Sequence, residues 1–264
     1  MLTYESLMAD AASRGMPAGK SRGILREYLQ LLTLRELYHL TDGRKFFFTG
    51  GTYLRLVHQT KRFSEDLDFN VAEIDQSGFE NVMRKVLSSL GNEGLTAKLD
   101  FAHWGNLFVA ELIFPDVEKT CGIRSAYSKK EGILIKVEAN RPRWKIKRET
   151  LVVAGFGYMF PVVCTERGAL FADKIDALVN KNRARHLFDI LFMLSRKYQV
   201  DTHVLESLGI AERPFDVILK RVQSFSYREL KKQADSLRPF LFDEKEADII
   251  VNAPAIAKQL IEQY

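Results

Sequence analysis

The chain has 264 residues, 46% of them hydrophobic and 28% charged, an ordinary globular balance with length enough for one large core or two modest ones. No apolar run approaches a membrane span, and the first residues lack the cationic start and apolar block of a secretory signal, so a cytoplasmic protein without membrane contact is expected. The net charge of +5 suits either a lysine-rich surface or a polyanionic ligand, while the two cysteines, Cys121 and Cys164, lie too far from suitable companions for a zinc site or a disulfide framework.

Taken in chain order, residues 4 to 13 and 18 to 41 have helical spacing, with Ile24, Leu25, Leu29, Leu32, Leu34 and Leu37 as a core face. "RKFFFTGG" is a short apolar strand stopped by glycines, "TYLRLVHQ" has room for two helical turns, and "DLDFNV" alternates as a strand. Residues 77 to 91 are helical again, burying Phe79, Val82, Val86 and Leu90. The period then changes: "LTAKLDFAHW", "LFVAELIFP", "GILIKVEAN" and "GYMFPVVCT" are strand candidates separated by turn residues. From Glu166 onward the pattern is helical, over about 166–181, 185–197, 201–208, 213–222, 226–236 and 244–262. The expected class is α+β, a mixed sheet with helices over residues 1–163 and a helical domain over 164–264.

Asp66 and Asp68 stand two apart on the "DLDFNV" strand and therefore share a face. Two neighbouring carboxylates repel unless a cation lies between them, and Mg²⁺ (or Mn²⁺) is held in this way by one or two carboxylates together with substrate phosphates. Upstream, Gly50 and Gly51 permit a tight turn and close backbone approach, and the following helix start offers free N–H groups to phosphate. Thr52 supplies a hydroxyl for phosphate or for capping. Ser64, just ahead of the strand, could cap, contact phosphate or be modified.

"GGTYLRL" followed by "RFSEDLDF" resembles the nucleotidyltransferase superfamily, and more closely the AbiEii/AbiGii family of type IV toxin–antitoxin and abortive-infection systems. The resemblance implies a nucleotidyltransferase-like sheet, an NTP as co-substrate, a divalent metal on Asp66 and Asp68, and nucleotidyl transfer to an acceptor. It favours tRNA, with a cognate antitoxin encoded nearby that need not bind this chain. Such enzymes usually carry a third acidic residue on a neighbouring strand. Glu138 is the choice, sharing a face with Lys136, which would contact phosphate; Glu111 in "LFVAELIF" is the competitor.

A second block, "TERGALFADKIDALVNKNRARHLFDILFML", is similar to the family's C-terminal motif, matched here by Glu166, Lys174, Arg183, Arg185 and Asp189. Lys174 can project toward triphosphate as a point charge, and Arg185 and Asp189, four apart, could pair on one helix face. His186 departs from the pattern, standing where an aspartate is frequent. In "RPRWKIKR", residues 141 to 148, five of eight positions are basic around a tryptophan, compatible with a surface hairpin or with a nucleic-acid edge. A non-catalytic nucleotide or nucleic-acid binder, or an enzyme modifying a protein or small molecule, are the alternative readings.

Overall fold

The computed structural model describes residues 2–121 and 132–264. The chain divides into two compact units, one of residues 1–59, 63–142 and 148–164, the other of 60–62, 143–147 and 165–264.

The first unit opens with helix α1 (Tyr4–Ser13), capped by the Thr3 hydroxyl accepting from the Ser6 N–H, and the long α2 (Ser21–His39). Strand β1 (Phe46–Thr49) runs into α3 (Gly50–Leu56), then β2 (Asp66–Val71) and α4 (Gln76–Asn92), whose first turn is held by Asp75 accepting from the Gly78 N–H. Strands β3 (Lys98–Trp104) and β4 (Leu107–Phe114), the short α5 (Val117–Thr120), β5 (Ile133–Asn140), β6 (Arg148–Gly155) and β7 (Tyr158–Thr165) follow. They form one mixed sheet in the order β3-β4-β5-β2-β1-β7-β6, with β2 parallel to β5 and β1 parallel to β7.

Register separates two faces of this sheet. Phe46, Phe48, Leu67, Phe69, Val71, Phe108, Val137 and Ala139 are buried and share the side on which α2 and α4 pack, with the Phe79 ring of α4 lying 5.7 Å from that of Phe108. Burying such large side chains contributes about 1.5–3 kcal/mol each, so this side anchors the unit. The opposite side carries Asp66, Asp68, Glu111, Lys136 and Glu138, all half-buried. The strand β6 was not expected from the sequence. It is an edge strand whose exposed positions alternate with half-buried ones and with the buried Val153, but its apolar residues, Leu151 to Ala154, run consecutively in the sequence, so the alternation is not visible there.

The second unit is helical: α6 (Arg167–Asn180), α7 (Ala184–Ser195), α8 (Thr202–Ser207), α9 (Pro214–Gln223), α10 (Tyr227–Leu237), α11 (Asp248–Val251) and α12 (Ala253–Ile261). Asp201 caps α8, and Ser226 with Glu229 forms a reciprocal capping box on α10. The single helix expected over 244–262 is instead a 3-10 turn and two α-helices. The break falls at Asn252, and Pro254, which has no N–H to donate, occupies the first turn of α12. The α+β class, with a mixed sheet followed by a helical region, is the one expected.

Candidate active site

On the open face, β2 and β5 lie parallel with Asp66 opposite Lys136 and Asp68 opposite Glu138. Across the next strand pair Glu111 stands opposite Lys136, and across β1 Thr49 stands opposite Asp68. Two rows therefore cross the sheet: Glu111–Lys136–Asp66, and Glu138–Asp68–Thr49. Glu138 is directly beside Asp68, whereas Glu111 is a strand further from β2. Lys136 bonds the Glu138 carboxylate, and that bond, joined by the charges of Glu138, Asp66 and Glu111, raises its ammonium above the ordinary lysine value. Among the described residues no three carboxylate, imidazole or thiol side chains are gathered closely enough to enclose a cation. Asp66, Asp68 and Glu138 nevertheless offer the all-oxygen donor set that Mg²⁺ prefers, on one face, with Glu138 engaged by Lys136.

Local structure explains the placement of the aspartates. Gly50 has φ +80°, and a Cβ there would lie 2.1 Å from Asp68 Oδ2, so the turn admits only glycine while the carboxylate occupies this cradle. Gly51 and Thr52 are buried in the first turn of α3. The Thr52 hydroxyl, expected at phosphate or as a cap, donates instead to the Asp66 carbonyl and ties α3 to β2. The buried Gln30 of α2 donates its amide to the carbonyls of Ser64 (3.1 Å) and Glu65 (2.8 Å), pinning the chain just ahead of β2. Arg55 of α3 bonds the buried Glu27 of α2 at 2.8 and 3.1 Å, and Arg14 bonds it at 3.2 Å.

Thr49 was missed by the sequence reading. It is 8% exposed, its hydroxyl has no hydrogen-bond partner, and it ends β1 beside Gly50. Its position before the double glycine, opposite the strand of aspartates, was the available signal.

In the second unit, Asp189 of α7 is fully buried. Arg62 donates to both of its oxygens, Nε to Oδ1 and Nη2 to Oδ2, each at 2.8 Å, and Lys174 of α6 donates to Oδ2 at 2.7 Å. Burial opposes ionisation, but the charges and hydrogen bonds of Arg62 and Lys174 outweigh it and hold the carboxyl below its usual range. The pairing of Asp189 with Arg185 considered from their spacing is thus replaced by a bidentate bond to Arg62, a residue of the "RFSEDLDF" motif 127 positions away. Arg185 is half-exposed on α7. His186 is buried, with neither ring nitrogen hydrogen-bonded, and burial together with the nearby Lys174 ammonium lowers its pKa to about 3.

A family profile described as nucleotidyl transferase AbiEii toxin, type IV TA system, matches residues 32–248. The chain belongs to this family. It is accordingly a nucleotidyltransferase toxin, a class that implies an NTP substrate and a cognate antitoxin. Among curated proteins no sequence matches. Among solved structures, the chain is similar to MenT4, a nucleotidyltransferase toxin from Mycobacterium tuberculosis H37Rv. The TM-score is 0.58 at 16% identity, covering 98% of this chain and 90% of that one. It is also similar to JHP933 from Helicobacter pylori, with TM-score 0.52 and 18% identity over 92% of this chain and 94% of that one. At these identities the likeness is one of fold. No helix among the described residues is long and apolar enough to cross a membrane.

Proposed function

We propose that this AbiEii-family toxin transfers a nucleotidyl group from an NTP to a hydroxyl of an RNA acceptor, with tRNA the favoured candidate. The observation that carries the reading is the register of β2 and β5, which puts Asp66, Asp68 and Glu138 on one open face beside the Gly50 cradle. The acceptor oxygen forms a bond to the α-phosphorus, the bond between α-phosphorus and bridging oxygen breaks, pyrophosphate leaves, and the hydroxyl proton passes to a carboxylate of this face. Asp66 and Asp68, with Glu138 as the third carboxylate, would hold Mg²⁺ or Mn²⁺, which neutralises phosphate charge when bound.

Lys136 is suited to an incoming phosphate because its ammonium already sits among carboxylates that keep it charged. Gly50 and Gly51 allow the backbone to approach the triphosphate, and the unpartnered Thr49 hydroxyl offers it a donor. The hydroxyl of Thr52 and the backbone of Ser64 are better suited to holding β2 than to touching phosphate. Lys174 has three donors, of which Asp189 takes one, and it is kept with the half-exposed Arg185 as a candidate phosphate contact. Asp189, without exposed surface, acts as a positioning residue for Lys174 and Arg62 rather than as a catalytic group. A tRNA acceptor is supported by the family and by the basic run at 141–148.

The test offers the purified protein each of four α-labelled NTPs with Mg²⁺ and total tRNA, beside the Asp66→Ala/Asp68→Ala variant. Label entering tRNA with the wild type alone is the expected result. Label entering only protein or small acceptors would replace RNA as the substrate class, and equal transfer by the variant would refute the site.

A further inference from the structure

The open face of the sheet continues beyond the carboxylates. Along β1 and β2 the row after Thr49 and Asp68 pairs Phe47 with Asn70, and past the end of β2 this side reaches a cavity of roughly 120 Å³. Its lining is Arg44, Lys45, Phe47, Ala72, Glu73 and Arg148. Three cations face one carboxylate there. Lys45 is already bonded to Asp42 at 3.0 Å, but among the described residues neither Arg44 nor Arg148 is ion-paired, and both are exposed. Two guanidinium groups facing one hollow repel each other, weakly at an exposed surface. An anion removes that repulsion, and arginine suits phosphate because its planar fork donates two parallel hydrogen bonds.

We propose that this cavity holds one backbone phosphate of the acceptor strand, upstream of its reacting end. The inference rests on the RNA-acceptor reading above. Distance supports a strand rather than the triphosphate. The cavity starts at Phe47, whose partner Asn70 is two residues past Asp68, and extends to Ala72, four residues past it and about 13 Å along an extended chain, so its far side lies beyond the phosphates of a nucleotide held at Asp66 and Asp68. At about 3.4 Å per stacked nucleotide, that span corresponds to roughly four nucleotides of a single strand lying along the open face. Phe47, on the same face between the two places, adds an apolar wall on which a sugar or base can rest.

The experiment measures binding of fluorescent single-stranded RNA of two, four and eight nucleotides by anisotropy, without NTP, over a salt series. Wild-type protein is compared with Arg44→Glu/Arg148→Glu, whose thermal midpoint checks folding. The octamer should bind the wild type at least tenfold more tightly than the dimer, and the variant should lose that advantage while binding the dimer unchanged. The salt slope should fall by about 0.7, the signature of a single phosphate contact. A variant that binds the octamer like the wild type overturns the proposal, as does a uniform loss at all lengths. Titration with inorganic phosphate separates the sources: phosphate that stabilises the wild type but not the variant, with no RNA binding by either, would mark a free-anion site and overturn the strand. Failure of NTP-dependent transfer to any RNA would instead count against the proposed function, which this binding assay does not need.

Discussion

Two regions of this molecule treat carboxylates in opposite ways. In the helical unit a single buried carboxylate, Asp189, receives two cations, Arg62 and Lys174, and is bonded through both oxygens. On the open face of the sheet, Asp66, Asp68, Glu138 and Glu111 occupy adjacent register positions around one lysine, Lys136. Where the chain supplies counter-ions in excess, the charge is locked into the fold and shielded from water. Where it gathers acids around one cation, on a half-buried surface, it leaves an electrostatic demand that a metal and a phosphate chain can meet. The same residue type is thus structural in one place and available for chemistry in the other, and burial with partners, rather than motif membership, tells them apart.

One substitution made at both places breaks the comparison most sharply. Asp189→Asn strands Arg62 and Lys174 without a counter-charge and is expected to cost about 3–5 kcal/mol of stability, read from denaturant unfolding. Asp68→Asn, at a half-buried position, should cost far less stability than Asp189→Asn, while lowering nucleotidyl transfer about a thousandfold. Similar stability losses at both positions would show that the open-face acids are structural, and the contrast would fall.

The Gly50 cradle sharpens the same contrast at smaller amplitude. Gly50→Ala places a Cβ on the Asp68 carboxylate and an L side chain at φ +80°, at a cost of about 1–2 kcal/mol. Because the displaced group is the proposed metal ligand, transfer should fall further than stability explains, by at least tenfold in kcat measured below the unfolding temperature. Thr49→Val removes the unpartnered hydroxyl while keeping the shape. Stability should hold or rise by up to about 1 kcal/mol, since an unsatisfied polar atom leaves the interior, whereas transfer should fall about tenfold. An unaltered rate would remove Thr49 from the site.

What the sequence disclosed follows the range of the interactions. The helices and the strands with one buried face were legible because period 3.6 and period 2 are local signals, and the Gly50–Gly51 turn and the paired aspartates were legible as spacing. The edge strand β6 was hidden because its apolar residues, Leu151 to Ala154, run consecutively although every second one is exposed. The partner of Asp189 was hidden because Arg62 lies 127 residues away, while Arg185, one helical turn from it, offered a plausible local substitute. The hydroxyl of Thr52 was misread for the same reason: its acceptor is the carbonyl of Asp66, and a backbone acceptor leaves no trace in side-chain spacing. Glu138 was preferred to Glu111 from the sequence, where both sit in apolar strands; what spacing did not show is the strand order, in which β5 adjoins β2 and β4 does not.

His186 gives the finest test of how the helical unit manages charge. Its imidazole is buried beside the Lys174–Asp189 pair, unpartnered at both nitrogens, and protonates only at about pH 3 in the folded chain. An unfolded histidine protonates near 6.5, so the unfolded state binds the extra proton first as pH falls. The contribution of this site to stability is therefore complete above about pH 6.5 and is lost progressively between there and pH 3. His186→Leu removes the titration and the unsatisfied nitrogens together. Its unfolding midpoint should exceed that of the wild type slightly at pH 7.5 and by a growing margin at pH 5.5 and 4.5. A constant margin across that series would mean that the imidazole titrates alike in both states, and that the cationic surroundings of Asp189 do not reach it.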